Sequence, residues 1–415
     1  MSETVAVTAD QVSLGVLVSA VPRDAVDAAV ARFGVGAKRS DGKLPPHVVA
    51  YLTMALCLFG EDDYEEVATK VTGALTRFGC WDAAWSVPTA SGISQARQRL
   101  GAPVMEEIFE SVVQPVGTTD TRGAWLRRWR VLAIDGFDVD LPDTPGNAAE
   151  FGYAGSGGNR SAYPKARVVA LAECGTHAFL AGEVSGYGTG ERTLAMRLYP
   201  RLRRDELLTA DRGFYSFDAW SAAAGTGAAL LWRAPTGLRL PVVRVLADGT
   251  YVSVVINPKI RGARRDRVVA AARAGQDLAP ELAYLVRVVE YDVPDRDGDG
   301  TGELIVLLTT VLEPAEAHAD ELAEAYHLRW EDRDQQRPAQ DAPTRPGPSA
   351  ALKAAGAGLP GNLGLADRPP RPRRVDHPRG RSRRPRPRPD QLHPRAANRP
   401  PYRHRDGGHS PWRLD

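Results

Sequence analysis

The sequence predicts a mixed α/β protein, in which a helical domain precedes a mixed-sheet core, a β-rich insertion interrupts that core, and a tail follows it. Residues 11–114 carry helical patterns, whereas strands and helices alternate from residue 128 onward. Within residues 236–312, short Val-rich runs alternate with Gly, Asp and Pro turns. The predicted domains are therefore 11–114, 128–331 with its insertion at 236–312, and the tail 332–415.

The N-terminal domain is predicted to be helical because its apolar residues recur at helical spacing. Residues 48–58 form an almost unbroken apolar segment, and residues 91–100 have the pattern of a capped helix start. The apolar residues of the second segment share one face, so Arg97 and Arg99 point elsewhere. Both arginines are candidates for DNA phosphate contacts, and a solvated helix face is the simpler alternative.

Seven elements are predicted in the core, in the order β-β-β-α-β-α-β. The strands are at 130–134, 166–173, 178–184, 206–210 and 228–232, and the helices are at 191–202 and 216–224. Acidic residues follow the first and fourth strands. This arrangement is the layout of ribonuclease-H-like folds, an inference by structural analogy.

Asp135 and Asp211 each end an apolar run, and they are the central candidates for chemistry. Taken singly, each is as consistent with a strand-to-turn residue as with a ligand. Carboxylates at corresponding strand ends can hold two Mg²⁺ ions about 3.5–4 Å apart, a site that cuts and joins phosphodiesters. Their shared position favours such a site. Asp138, Asp140 and Asp143 are weaker candidates, better explained as exposed turn residues.

Four strands are predicted in the insertion, at 242–246, 251–256, 283–291 and 303–312, and a helix is predicted at 315–331. The acidic run at 295–300 resembles the start of a calcium-binding loop. The twelfth position of such a loop is Glu, but here it is Val306, inside a predicted strand. The run is therefore interpreted as a hairpin turn.

Charge is distributed unevenly along the chain. Residues 332–415 carry 19 Lys/Arg and 8 Asp/Glu, a net charge of +11, so the other 331 residues carry 34 and 43, a net charge of −9. The body therefore gives no general support for nucleic-acid binding, which must depend on local patches. The tail also holds half of the 32 prolines and lacks Ile and Phe, so it is predicted to be disordered.

A cytoplasmic location without a membrane partner is expected. The chain has no apolar run of transmembrane length, and its first residues lack the layout of a signal peptide. The three cysteines, Cys57, Cys80 and Cys174, are far apart without metal-ligand spacing, which argues against structural zinc and a disulfide framework.

Several motifs occur in an order typical of one family. They are the segment around 46–75, ISQARQRL at 93–100, AIDG at 133–136, RVVALAECGTH at 167–177, ADRGF at 210–214, LLWR at 230–233 and YHLRWE at 326–331. On these motifs, residues 11–331 resemble bacterial insertion-sequence transposases of the IS4 family, which have a ribonuclease-H-like fold and use three acids (DDE) in catalysis.

The resemblance implies roles for individual residues. Asp135 and Asp211 would be the first two catalytic acids and ligands of Mg²⁺ (or Mn²⁺), whereas Tyr326 and Arg329 would position a DNA phosphate, since arginine suits bidentate phosphate contacts. The N-terminal helices would recognise the terminal inverted repeats of the element before strand cleavage and strand transfer into target DNA. A homodimer in a synaptic complex and a nucleoid-associated location in the cytoplasm are further implications.

The chain departs from the family after Glu331. The family signature Tyr-x2-Arg-x3-Glu-x6-Lys, counted from Tyr326, requires an acid at position 333 and a lysine at 340, where this chain has Arg333 and Gln340. Glu331 lies about 200° around a helix from the required position and is a poor substitute. Little or no cleavage is therefore expected. The alternatives are a non-catalytic DNA-binding remnant that interferes with transposition, a sequence-independent nucleic-acid-binding tail, and an unstable product.

A shifted reading frame is our hypothesis for this departure. Residues 332–344 can be encoded so that dropping one base after codon 331 gives Glu and Lys at the signature spacing. Residues 358–365, read in the same shifted frame, can give a segment that resembles a later helix of the family. Codon choice was free in both cases, so the test is the coding DNA itself.

Overall fold

The structure is a computed structural model that describes residues 17–36, 44–60, 62–77, 86–293 and 303–329. The predicted disorder of the tail, its frame shift, and the predicted turn at 295–300 lie outside the described residues. The chain divides into two compact units. Among the described residues, the first unit holds those up to Trp125, Val131–Leu202, and Leu328 with Arg329, and the second holds Leu126–Arg130 and Arg203–His327.

The N-terminal part of the first unit is helical, as predicted. Its helices are α1 (17–20), α2 (Arg23–Arg32), α3 (Pro46–Leu58), α4 (Tyr64–Arg77), α5 (Ala90–Leu100) and α6 (Ala102–Val112). The apolar segment of α3 is buried along most of its length and contributes to two apolar clusters. The N-cap of α5 is Thr89, two residues before the start predicted from the sequence, because the Thr89 hydroxyl accepts the Gly92 N–H at 3.2 Å.

The first unit also contains an antiparallel sheet in the order β4-β3-β2. The elements of this part of the chain are β1 (Trp125–Leu126), β2 (Trp129–Asp140), α7 (Pro145–Phe151), β3 (Lys165–Glu173), β4 (Phe179–Gly186) and α8 (Glu191–Leu198), and residues 126–130, which span the end of β1 and the start of β2, belong to the second unit. Strand β2 is much longer than predicted. The prediction that it ends before Asp135 is wrong, because Phe137 and Val139 continue to bury one face of the strand.

Asp138 and Asp140 are therefore strand residues, and the prediction of exposed turn residues is wrong for both. They lie opposite Arg167 and Lys165 in the register of β2 with β3. Asp138 forms an ion pair with Arg167 at 3.0 Å, and Asp140 forms one with Lys165 at 2.6 Å. Such cross-strand pairs of opposite charge stabilise the sheet.

The second unit contains a mixed sheet in the order β5-β6-β10-β9-β8-β7. Strands β5 and β6 are parallel, and the later pairs are antiparallel. The elements are β5 (Glu206–Ala210), α9 (Phe217–Ala224), β6 (Ala229–Arg233), β7 (Val242–Val245), β8 (Tyr251–Ile256), α10 (Ala263–Arg273), β9 (Ala283–Val293), β10 (Glu303–Thr309) and, extending into the first unit, α11 (319–329). The strands of the β-rich insertion are confirmed, whereas α10 was not predicted.

The mixed α/β class is confirmed. Apart from the short helix α7 between β2 and β3, the order is three antiparallel strands, a helix, a strand, a second helix and a parallel strand, which is consistent with a ribonuclease-H-like core. In the described part of the chain, none of the helices has the length and apolar character needed to cross a membrane.

Candidate active site

Asp135 lies in the middle of β2 rather than at a strand end. The strand residues before it, Val131 to Ile134, are all buried, and Asp135 itself is only 7% exposed. Its Oδ1 accepts the N–H of Gly136 at 2.9 Å and lies 3.3 Å from Nη2 of Arg329. The carboxylate is therefore held within the first unit by a neighbouring amide and a buried cation.

Arg329 and Tyr326 lie in the last turns of α11, and both are 0% exposed. The Tyr326 ring packs edge-on against His327, with 6.3 Å between the ring centroids. The two residues implied to contact a DNA phosphate are thus withdrawn from solvent, and the guanidinium of Arg329 lies on Asp135. Their contact with DNA stays a prediction.

Asp211 follows directly on β5, as predicted for a strand end. All five residues of β5 are buried, which fixes the position of the aspartate at the end of the strand. Its Oδ1 accepts the N–H of Arg212 at 2.6 Å, and a 3₁₀ turn over Arg212–Phe214 follows. The carboxylate therefore stands at the start of a tight turn in the second unit, partly open to solvent.

Tyr215 directly follows this turn, and its side chain is partly buried. Burial raises the pKa of Tyr215 well above its usual range, and the positive charge of Arg265 opposes that rise. The guanidinium of Arg265 on α10 therefore acts on the segment that follows Asp211. This link between the Asp211 segment and a helix of the insertion was not predicted from the sequence.

The fit of a divalent cation depends on its oxygen donors. Carboxylates such as Asp135 and Asp211 are the ligand type that Mg²⁺ prefers. Asp135 belongs to the first unit and Asp211 to the second. In the part of the chain that the structure describes, no group of three or more His, Cys, Asp or Glu residues is placed to hold a metal ion. The donor chemistry suits Mg²⁺, but the described residues do not fit a complete metal site.

Arg97 and Arg99 differ in their surroundings. Nη1 of Arg97 donates to the Tyr64 hydroxyl at 2.8 Å, and its guanidinium lies 5.7 Å from the centre of the Tyr64 ring. Arg97 therefore joins α5 to α4. Arg99 is exposed and remains available to an external anion. The structure thus favours a packing role for Arg97, while the DNA contacts of both arginines stay predictions.

A charged network on the other face of β2 was missed in the sequence. Nε of Arg167 donates to Asp138 at 3.0 Å, and the Arg167 guanidinium stacks 4.3 Å from the centre of the Tyr187 ring. Burial lowers the pKa of Arg167, but the hydrogen bond and charge of Asp138 outweigh it and raise that pKa overall. Gly136 and Asp138 alternate with the apolar residues Phe137 and Val139, and this period of two was the sequence signal for a polar face on a continuing strand.

Glu191 also lies on this face, against Gly136. A methyl group added at Gly136 would lie 2.9 Å from Cδ of Glu191, so only glycine leaves room for the carboxylate in this position. Because successive strand residues point to opposite faces, Glu191 lies on the side of β2 opposite to the Asp135 side chain. It is therefore no replacement for the third acid beside Asp135.

The comparisons with known proteins agree on one group. The family model described as "Insertion element 4 transposase N-terminal" matches residues 11–110. The chain is 27% identical over 247 residues to "Transposase InsG for insertion sequence element IS4" of Escherichia coli (strain K12), covering 58% of this chain and 50% of that protein. It is 30% identical over 154 residues to "Putative transposase InsZ" of the same organism, covering 37% of this chain and 52% of that protein. The chain thus spans about half the length of the curated relatives it matches.

Proposed function

We propose that this chain, which these matches support as an IS4-family transposase, binds the ends of an insertion sequence element and cleaves DNA weakly or not at all. The observation that carries the proposal is the match of residues 11–110 to the N-terminal model of IS4 transposases. The domain over 11–114 would recognise the terminal inverted repeats, and exposed Arg99 is the better placed of its two candidate arginines.

Catalysis in this chain would be impaired because the set of acids is incomplete. By resemblance, Asp135 and Asp211 would be two of the three acids, and Mg²⁺ (or Mn²⁺), when bound, would activate the attacking oxygen and stabilise the leaving oxygen. The third position is Arg333, a cation where an acid is required. Arg329 neutralises Asp135 within the first unit.

The partners follow from the same proposal. The chain would bind the terminal repeats of its element and target DNA, and two copies would join paired ends in a synaptic complex. The protein would act in the cytoplasm, on the nucleoid. These statements extend the family matches, each of which covers only about half of a relative.

The test measures binding and cleavage separately. The chain should bind a labelled terminal repeat more tightly than a scrambled duplex, yet leave both uncut with Mg²⁺ or Mn²⁺. A chain with the shifted frame restored after codon 331 is the matched comparison, and it should cleave. If the present chain cleaves DNA and Asp211→Asn abolishes that cleavage, the proposal of impaired catalysis is wrong. If the chain binds both duplexes with equal affinity, the proposal that it recognises element ends is wrong.

The missing acid also favours a second candidate, a non-catalytic DNA-binding remnant that interferes with transposition. Co-expression with an active transposase of the same element should then lower the transposition frequency. The basic tail is a separate source of binding, because its +11 net charge attracts any nucleic acid. Binding through the tail should weaken steeply with salt and show no preference for the terminal repeat.

A further inference from the structure

Helix α10 of the insertion presents a basic surface in the second unit. Residues 259–273 contain six Lys or Arg residues and a single acid, Asp266, in a body whose net charge is −9. Five of these six cations are exposed, and the four that precede Val268 are together called the α10 basic face: Lys259, Arg261, Arg264 and Arg267. A solvated helix face ordinarily interleaves charges of both signs, so this concentration of one sign points to a polyanionic partner.

The α10 basic face is held on a firm support. Val268 and Ala272 are buried in an apolar cluster with residues of β8 and β9. At the end of the helix, Arg273 donates to the Val242 carbonyl through two nitrogens at 3.2 Å each. The helix is therefore anchored along one side, and its exposed arginines extend from a fixed base. Such a base lowers the entropy lost when a ligand binds.

Arg261 donates to the Pro258 carbonyl oxygen at 3.5 Å, but the other three cations of this face form no ion pairs in the described structure. Among the residues that the structure describes, Lys259, Arg264 and Arg267 enter no ion pair with a carboxylate. Arg264 and Arg267 are three residues apart and lie on neighbouring positions of one helix side, where like charges repel. An arrangement that costs stability in the free protein is explained if phosphates neutralise it in a complex.

Helix α10, which carries part of this face, is also linked to the segment that follows Asp211. The positive charge of Arg265 acts on Tyr215, which follows the turn after Asp211. Independently, the Ser221 and Tyr284 hydroxyls lie 2.8 Å apart, and the rings of Phe217 and Tyr284 pack at 5.8 Å. These contacts join α9, the helix after Asp211, to the start of β9. The insertion therefore packs against the helix that follows Asp211.

We propose that the α10 basic face binds the phosphates of duplex DNA alongside the Asp211 strand end. This inference deepens the proposed function, on which it rests, by naming a second DNA-contacting surface besides the N-terminal helices. Contact with phosphates is independent of base sequence, so the face would hold the duplex in position without selecting it. The N-terminal domain would select the element end.

The salt dependence of DNA binding tests the proposal. The full chain and its Arg264→Gln/Arg267→Gln variant are titrated with a labelled duplex of arbitrary sequence, about 30 base pairs long, over a series of salt concentrations. The logarithm of affinity falls with the logarithm of salt by about 0.9 for each phosphate neutralised. Loss of two phosphate contacts should therefore reduce the slope of log affinity against log salt concentration by about 2, and it should weaken binding several-fold at low salt.

The matched control is Arg203→Gln/Arg204→Gln. These two arginines are exposed in the same unit but precede β5, whereas Asp211 follows it. The control should keep the wild-type salt dependence, and Arg264→Lys/Arg267→Lys should keep it as well. The proposal is overturned if Arg264→Gln/Arg267→Gln has the same salt dependence as the wild type. It is also overturned if both Gln variants show the same decrease in salt dependence, since the loss of positive charge in general would then explain the result.

A second measurement needs no variant. Acetylation of Lys259 in the wild-type chain should slow several-fold when the duplex is added, whereas acetylation of Lys165, which is paired with Asp140, should not change. Unchanged labelling of Lys259 would contradict the proposal. Because the duplex has arbitrary sequence, a chain that does not prefer element ends can still show this protection of Lys259. Failure of the proposed end recognition is therefore distinguishable from failure of the proposed phosphate contact by the α10 basic face.

Discussion

Arg329 lies 3.3 Å from Asp135, and the ion pair that they form is withdrawn from solvent, with side-chain exposures of 0% and 9%. The pair joins the end of α11 to the middle of β2 in the first unit. Taking two charges out of water is costly, and their attraction offsets that cost only while both partners remain. In this chain a side-chain cation therefore lies at the carboxylate that the family resemblance identifies as the first catalytic acid.

Replacement of Arg329 by Met should lower the free energy of unfolding by about 3–5 kcal/mol, because the buried Asp135 would lose the cation that lies 3.3 Å from its Oδ1. Urea unfolding of the full chain measures this change. The double variant Asp135→Asn/Arg329→Met should be less destabilised than the sum of the single variants. Additive losses would show that the two side chains are not energetically coupled.

Gly175 is required by the turn between β3 and β4. Its φ is +84°, and an added Cβ would lie 2.3 Å from the Arg122 carbonyl oxygen and 2.8 Å from the Ala124 amide. Backbone atoms cannot withdraw as a flexible side chain can. We expect Gly175→Ala to cost about 2–4 kcal/mol in thermal or urea unfolding.

Gly188→Ala is the control for this prediction. No atom lies within 4 Å of the added Cβ at Gly188, and its φ is not in the left-handed region. Its stability should change by less than about 1 kcal/mol. Equal losses in the two variants would mean that the strain at Gly175 is not responsible.

Asp248 gives a prediction for the dependence of stability on pH. Burial raises the pKa of Asp248, but hydrogen bonds from Thr250 and the charge of fully buried Arg287 outweigh it, so that pKa is lowered overall from its ordinary value of 3.8. A lowered pKa in the folded state stabilises the protein above the unfolded-state pKa, and this contribution is lost as pH falls through the folded-state pKa.

We therefore expect Asp248→Asn to be destabilised at neutral pH, by about 2–4 kcal/mol, because Arg287 would lose its counter-charge. The difference in the free energy of unfolding between this variant and the wild type should decrease as pH falls below 3.8. Asp277→Asn, at an exposed position of the same unit, is the control and should follow the wild type. A difference that stays constant down to acid pH would contradict this assignment.

The elements that the sequence predicted best are those with a strong local signal. Strand β5 was predicted to the residue, because five consecutive residues that are all buried lie between polar segments. The end of β2 is not predicted correctly, because Gly136 is typical of a turn, whereas the only sign of a continuing strand is the alternation of Phe137 and Val139 with polar residues. Helix α10 was missed because only Val268 and Ala272 are fully buried, too few to give a helical period.

The site was predictable only in part. Asp211 was placed at a strand end by local pattern, and the structure confirms that position. The ion pair of Asp135 with Arg329 joins residues far apart in the sequence, so no periodicity or spacing carries a signal of it. The effect of the Arg265 charge on the pKa of Tyr215 also joins residues far apart in the sequence, so no local pattern signals it.

Restoration of the reading frame after codon 331 should convert a DNA-binding chain into a cleaving one. Under the frame-shift hypothesis the restored sequence would supply an acid at 333 and a lysine at 340, where the present chain has Arg333 and Gln340. Because metal-assisted catalysis depends on the full set of ligands and contributes several kcal/mol, we expect a rise in strand cleavage of at least about 100-fold. The measurement is nicking of a labelled terminal repeat in Mg²⁺.

Two substitutions make this comparison decisive. Asp211→Asn should abolish cleavage by the restored chain but leave the present chain unchanged, because an already incomplete set of acids has little activity to lose. Arg333→Gln in the present chain removes the misplaced cation without supplying an acid, and it should not restore cleavage. If Arg333→Gln alone restored cleavage, the missing carboxylate would not be the cause of impairment, and repulsion by the Arg333 cation would replace it as the explanation.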